Sequence, residues 1–296
     1  MGTLSTLWHC ITGSLLPALE EELDPLTEKQ REFVSVCEVA ELDRHMGRYR
    51  WRGLGRKRKP RVDLAKAFVA KAVYNLPTTE ALVQRLRDCK NLRRLCGWEC
   101  VEDVPSEPTF SRAFAEFAVG DLGDVVHEAM FKSRYGSKLA GHISRDATAI
   151  VAREKGAKKP AAVEAPRPKR KRGRPRKGEV REAPPETRLQ AQGKRSPAEN
   201  LADLPKACDW GTKRNSQGKR ETWKGYKLHL DCIDGDIPVS AILTSASMHD
   251  SQAAIPLAQM SAQRVTNLYD LMDSAYDAEP IHTFSRGLGH VPIIDP

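Results

Sequence analysis

The sequence predicts an α/β protein: a mixed sheet flanked by helices, preceded by an all-helical N-terminal part. Three observations predict it. From about residue 62 to residue 136 apolar residues recur at three-to-four spacing, the period of helices with one buried face. Beyond residue 205 the pattern becomes strand-like and then alternates between strand-like and helix-like segments. Between them, residues 153–205 lose hydrophobic periodicity and fill with Pro, Ala, Lys, Arg and Glu. That composition is expected to stay disordered, because it buries too little apolar surface to offset chain entropy.

The expected organisation is therefore a helical domain over 1–136 and an α/β domain over 137–152 and 206–296, with a disordered basic insertion at 153–205. Residues 1–47 read as mixed helical material. Arg48–Arg61 follows with eight cations and no acid. Its aromatic pair, Tyr49 and Trp51, suits either stacking on bases or anchoring in a core. Leu64, Ala65, Phe68 and Val69 mark one helix, and Leu82, Val83 and Leu86 a second, continued by Leu92 and Leu95. Pro77-Thr78-Thr79 breaks the chain and caps the second helix. Ser106 is the cap of a further helix with Pro108 in its first turn, and Phe110, Phe114 and Phe117 form a stripe expected to be core.

The α/β domain begins with a strand-like segment, Gly141–Val151. After the insertion, Lys224–Ile233 and Pro238–Thr244 alternate apolar and polar residues around Asp234-Gly235-Asp236, a hairpin signal. A helix over Gln252–Arg264, a buried strand over Asn267–Met272, a helix over Glu279–Ser285 and a strand over His290–Ile294 complete the order. Three antiparallel strands followed by strands linked through helices describe a ribonuclease H-like mixed sheet.

The charge excludes some classes and favours one. The net charge is +9, and residues 153–178 hold twelve cations against two glutamates, so the rest of the chain sums to −1. A concentrated block of this kind points to a polyanion. No run of 18 apolar residues is found and the first residues do not read as a secretory leader, so a cytoplasmic, nucleoid-associated protein with no membrane contact and no small-molecule substrate is expected. Seven cysteines without a framework read as free thiols of a reducing compartment. Cys96 and Cys100, with Cys89 nearby, lack further ligands at zinc spacing and read as small buried thiols on helices.

The chemistry rests on Asp146, within the first strand, and Asp273, directly after the buried strand. In a mixed sheet these two strands lie side by side, and two carboxylates so placed repel each other unless cations intervene. Hard oxygen ligands suit Mg²⁺ or Mn²⁺. Two such ions about 3.5–4 Å apart activate a nucleophile and stabilise the leaving oxygen of a phosphodiester. Read singly, each Asp is equally a strand end or a helix cap.

Five segments then carry a resemblance. Ile143-Ser-Arg-Asp-Ala-Thr-Ala-Ile150 resembles the first-Asp motif of DDE transposases of bacterial insertion sequences, and Trp223-Lys-Gly-Tyr-Lys-Leu-His-Leu-Asp231 their second strand. Thr244-Ser-Ala-Ser-Met-His-Asp-Ser251 is similar to their strand-to-helix turn, and Asp273-Ser-Ala-Tyr-Asp277 to their second-Asp motif. Val291-Pro-Ile-Ile-Asp-Pro296 matches the strand that follows. Leu92-Arg-Arg-Leu-Cys-Gly-Trp98 with Val104–Arg112 resembles the N-terminal domain of the same proteins. The match covers about residues 55–296 in the family's order. It implies a ribonuclease H-like fold, Mg²⁺- or Mn²⁺-dependent cutting at transposon ends, strand transfer into target duplex DNA, and a homodimer, since paired ends need paired subunits. Asp146 and Asp273 are the implied catalytic metal ligands.

The third acid that the resemblance implies, a Glu on a helix after the last strand, is not found. No Glu follows Glu279, which precedes that strand. The chain is therefore expected to be a truncated, catalytically impaired transposase. The alternative is a noncatalytic relative that occupies or regulates transposon ends, and a further one is a metal-dependent nuclease unconnected with transposition.

Lys169-Arg170-Lys171-Arg172-Gly173-Arg174-Pro175-Arg176-Lys177 is the candidate DNA-binding run. Its core, Arg172–Pro175, resembles an AT-hook, in which an extended Gly-Arg-Pro lies in a narrow minor groove. A flexible tether bound to phosphates is the other reading. His249-Asp250 is expected to cap the following helix. Lys224 and Lys227 are expected to face DNA or solvent.

Overall fold

Helical spacing in the first part of the chain and alternation in the second fold into two units, Met1–Gly136 and Ser137–Pro296. The computed structural model describes residues 4–51, 53, 55, 58–136, 138–156, 186–214 and 217–295. The basic run Lys169–Lys177 lies outside the described residues, as does most of the expected insertion.

The first unit is built from α1 (Leu4–Cys10), α2 (Leu16–Glu22), α3 (Glu28–Ala40), α4 (Leu42–His45), α5 (Arg61–Val73), α6 (Thr79–Asp88), α7 (Lys90–Leu95), α8 (Glu107–Val119) and α9 (Leu122–Tyr135). Thr27 and Gln30 form a capping box on α3, and the Thr78 hydroxyl accepts the Ala81 amide to start α6. These bonds satisfy N–H groups that have no partner within the helix. Phe33, Leu64, Leu82, Leu86, Leu92 and Phe110 fill one core, each fully buried side chain contributing about 1.5–3 kcal/mol. Tyr49 belongs to it, buried and edge-on to Phe117 at 5.1 Å, whereas Trp51 is exposed. The Phe stripe is only partly core. Phe114 is 59% exposed although its ring lies 5.4 Å from Phe68, because α8 turns this position outward. Cys96 is buried, but Cys100 is exposed and lies outside the α-helices.

The second unit runs β1 (Leu139–Val151), α10 (Arg188–Gln192), α11 (Pro197–Asp203), β2 (Asp209–Arg214), β3 (Arg220–Ile233), β4 (Ile237–Ser245), α12 (Ser251–Ala262), β5 (Thr266–Met272), α13 (Glu279–Gly287) and β6 (Val291–Ile294). The fold class is the mixed α/β arrangement that the sequence predicts. β3 pairs antiparallel with β1 along one edge and with β4 along the other. Its first part, Arg220–Gly225, pairs antiparallel with β2. β1 pairs parallel with β5, and β5 with β6.

One face of this sheet is covered. Ile143, Arg145, His229, Asp231, Ile242, Thr244, Asp270 and Met272 are buried, and α12 supplies Ala253, Ala254, Ile255, Leu257 and Ser261 to the same core. Their strand neighbours Ser144, Asp146, Thr148, Leu243 and Tyr269 are exposed, as alternation requires of a sheet with one open face.

Two features depart from expectation. Residues 186–205, expected to be disordered, contain α10 and α11. Both begin with capping boxes, Thr187 with Gln190 and Ser196 with Glu199. Leu189 and Leu204 pack into the α12 side of the core, and the buried Asn200 amide donates to Gln192 O and Gln259 Oε1. Two short capped helices thus gain from a neighbour the burial their own composition lacks. The second departure is β2, which forms a ribbon with an N-terminal extension of β3.

Candidate active site

The geometry of the site follows from one cross-strand register. In the parallel β1–β5 ladder, Arg145 stands opposite Met272. One step further along both strands are Asp146 and Asp273, which the fold therefore brings to neighbouring positions although 126 residues of sequence lie between them. Both are exposed, on the open side of the sheet, away from the buried Arg145 and Met272. Adjacent strands lie about 4.8 Å apart, so two carboxylates at such positions can share a cation.

Each carboxylate is oriented by its own backbone. Asp146 Oδ1 accepts the Ala147 amide at 2.6 Å. Asp273 Oδ1 accepts the Ala275 amide at 3.0 Å and so starts the short 3-10 turn Ser274–Tyr276. Among the described residues no three His, Cys, Asp or Glu side chains converge on one metal-sized point. The hard oxygen donors of Asp146 and Asp273 fit a divalent cation of the Mg²⁺ or Mn²⁺ kind, as a pair.

Beneath the pair runs a buried ionic network that motif reading missed. Arg145 donates from Nε to Asp231 Oδ1 and from Nη2 to Asp231 Oδ2, both at 2.8 Å, and from Nη1 to Met272 Sδ at 3.4 Å. Ser261 of α12 donates to Asp231 Oδ2 at 2.7 Å. Burial alone would lower the pKa of Arg145, but the adjoining Asp231 carboxylate raises it. The same guanidinium thus contacts Met272, the residue before Asp273, while belonging to the residue before Asp146. The available signal was an Arg and an Asp at inward-facing positions of two strands, where a charge persists only when paired.

Further polar groups line the covered side near the same strand ends. Lys227 donates to Met248 O at 2.9 Å and to Asp250 Oδ1 at 2.8 Å, so its ammonium is held within the protein and is largely turned away from solvent. Asp250 stands at the start of α12 without capping it. His249 is the member of the pair that caps: its Nδ1 accepts the Ser251 amide at 3.4 Å and meets Ser251 Oγ at 2.8 Å, while the Asp250 carboxylate is held by Lys227. His229 is fully buried with Nε2 at 2.8 Å from Thr244 Oγ1, and burial lowers its pKa to about 4. Tyr276 is fully buried, and its hydroxyl has no partner among the described residues. Burial drives its pKa up, and the carboxylates of Asp250, Asp146 and Asp273 add to the rise against Arg145. All three acids are therefore within electrostatic reach of one phenol.

Among the described residues no helix is long and apolar enough to cross a membrane. A family model described as Transposase DDE domain matches residues 143–296, and one described as Transposase domain (DUF772) matches residues 19–116. Neither curated proteins nor solved structures gave a match. The DDE match begins at the core of β1 and takes in both aspartates, and it spans more than half of the chain. The chain belongs to the DDE transposase family.

Proposed function

We propose that this transposase binds the ends of its element as duplex DNA and acts on phosphodiesters at Asp146 and Asp273 with Mg²⁺ or Mn²⁺. The observation that carries the reading is the Arg145–Met272 register, which leaves the two aspartates as neighbours on an open sheet face. Asp146 and Asp273 would hold the cation, each with one oxygen fixed by a backbone amide. When bound, the ion supplies charge neutralisation and Lewis-acid activation at the phosphodiester. The chain's part is to orient the carboxylates, with Arg145 and Asp231 holding the strands beneath them, and to leave an open face for DNA. The reaction class is hydrolysis at the element end, followed by attack of the freed 3′-hydroxyl on target DNA, with two subunits serving two ends.

Mn²⁺ titration of the whole chain by calorimetry tests the site. Binding by the wild type, weakened about tenfold or more in both Asp146→Asn and Asp273→Asn, is the expected result. A wild type indifferent to Mn²⁺ removes the metal reading.

A second reading is a noncatalytic protein that occupies transposon ends. It is favoured by the lack of any three-ligand group among the described residues. Stable binding to end DNA by a chain that neither binds Mn²⁺ nor cuts would select it.

A further inference from the structure

The ribbon formed by β2 and the first part of β3 has two chemically different faces. In its antiparallel register Trp210 stands opposite Lys224, and Thr212 opposite Thr222, with Arg220 next along the same side of β3. Directly opposed residues share a face. This face therefore carries Trp210, Thr212, Arg220, Thr222 and Lys224, with no acid among them. The other face carries Asp209, Gly211, Lys213, Glu221 and Trp223, including both acids of the paired segments Asp209–Arg214 and Arg220–Gly225.

The two tryptophans divide in the same way. Trp223 is half-buried, donates Nε1–H to Tyr226 O at 3.1 Å and lies 5.9 Å beneath the Lys227 ammonium. Gly211 leaves it room, since a Cβ there would come within 2.6 Å of the indole. Trp210 is 60% exposed. An indole held out on a two-stranded ribbon, between a lysine and a threonine, costs solvation without contributing to the core.

The position of the ribbon relative to the aspartates points the same way. Asp146 pairs with Leu230 of β3, which has the same strand parity as Lys224, Thr222 and Arg220. The cationic face thus continues the open face that bears Asp146, turned by the twist of the ribbon. At about 3.3 Å per residue it lies from roughly 20 Å (Lys224) to roughly 33 Å (Arg220) beyond Asp146, the rise of about 6–10 base pairs of duplex. Glu154, at the foot of the ribbon, accepts the Tyr226 hydroxyl.

We propose that the Trp210–Arg220–Lys224 face of the β2–β3 ribbon is a contact surface for duplex DNA flanking the reacting phosphodiester. Arg220, Lys224 and the threonine hydroxyls meet backbone phosphates, and Trp210 packs on a sugar or base edge. A ribbon of two strands fits the width of a major groove. This surface rests on the DNA-acting reading given above.

The test is fluorescence-anisotropy binding of the full chain to a random-sequence duplex of about 30 base pairs over a salt series. The double variant Arg220→Ala/Lys224→Ala is expected to lose about tenfold in affinity and to lower the salt slope by about two. Trp210→Ala is expected to lose about tenfold with the slope unchanged. Lys213→Ala, which removes a cation from the opposite face, is expected to stay within about twofold of wild type. Trp210, Lys213 and Arg220 are exposed and Lys224 is half-buried, and unchanged near-ultraviolet circular dichroism verifies the folding of each variant. Wild-type binding that both ribbon variants retain overturns the surface and leaves the DNA-acting reading standing. An equal loss in Lys213→Ala also overturns it, in favour of net charge alone. A wild type that binds no duplex overturns the DNA-acting reading itself.

Discussion

Arg145 and Asp231 form a bidentate ion pair at 2.8 Å between directly opposed positions of β1 and β3, with both side chains almost wholly excluded from solvent. Removing one partner strands the other in the core, an effect worth about 3–5 kcal/mol. Asp231→Ala is therefore expected to destabilise the second unit by that amount in urea unfolding. The double replacement Arg145→Met/Asp231→Leu should cost less than either single change. A double-variant cost equal to the sum of the two single costs would show that the charges are not coupled.

Gly225 is required by a close approach of two strands. A Cβ at this position would meet Ile150 O at 2.0 Å and Ala152 N at 2.8 Å, both backbone atoms of the β1 side. Gly225→Ala should cost more than about 3 kcal/mol and increase hydrogen exchange at the Ala152 amide, which donates to Lys224 O. Wild-type exchange in the variant would show that β1 and β3 can separate there without penalty.

His229 makes stability fall towards acid. Its folded pKa is lowered to about 4 by burial, below the unfolded value of about 6.5. The unfolded chain then binds more protons than the folded one between these limits. The neutral ring's contribution is complete above pH 6.5 and is lost as pH falls towards 4, about 3 kcal/mol in all. His229→Gln, which does not titrate, should flatten the unfolding midpoint across this window. An unchanged slope would assign the acid sensitivity to other groups.

Asp63 acts with the opposite sign in the first unit. It lies beneath Gly97, where a Cβ would come within 2.8 Å of Oδ1, and burial raises its pKa to about 6. The folded state here binds more protons than the unfolded one between about pH 4 and 6, so this group's penalty grows as pH rises through that window. Asp63→Asn should stabilise the helical unit at pH 7 by about 1 kcal/mol, allowing for solvent screening at a half-exposed site, and the gain should vanish near pH 4. A destabilised variant at pH 7 would show that the charged form makes a needed contact.

Much of the fold was legible because its signals are local. Alternation marked β3 and β4, Asp234-Gly235-Asp236 marked their turn, where Gly235 and Asp236 both take positive φ, and helical spacing marked α5, α6 and α12. α10 and α11 were hidden by the polar composition around them, although the Thr187–Gln190 and Ser196–Glu199 boxes were signatures in plain view. β2 was hidden because its cations mask the alternation of Trp210 and Thr212. Phe114 read as core because spacing gives the width of an apolar stripe and not the reach of its neighbours. Asp250 read as a cap because the competing partner, Lys227, lies 23 residues away in sequence.

The amino-acid sequence by itself determined the family and the order of the elements whose signals are local, since these depend on residue type and spacing along one strand or helix. Tertiary structure alone decided that Asp146 stands beside Asp273, that Arg145 is neutralised by Asp231, and that the ribbon's acids and exposed indole lie on opposite faces. Those are matters of register between strands distant in the chain. A shift of one residue in register reverses every facing side chain, and only the packing of α12 and the buried ion pair selects one register over the next.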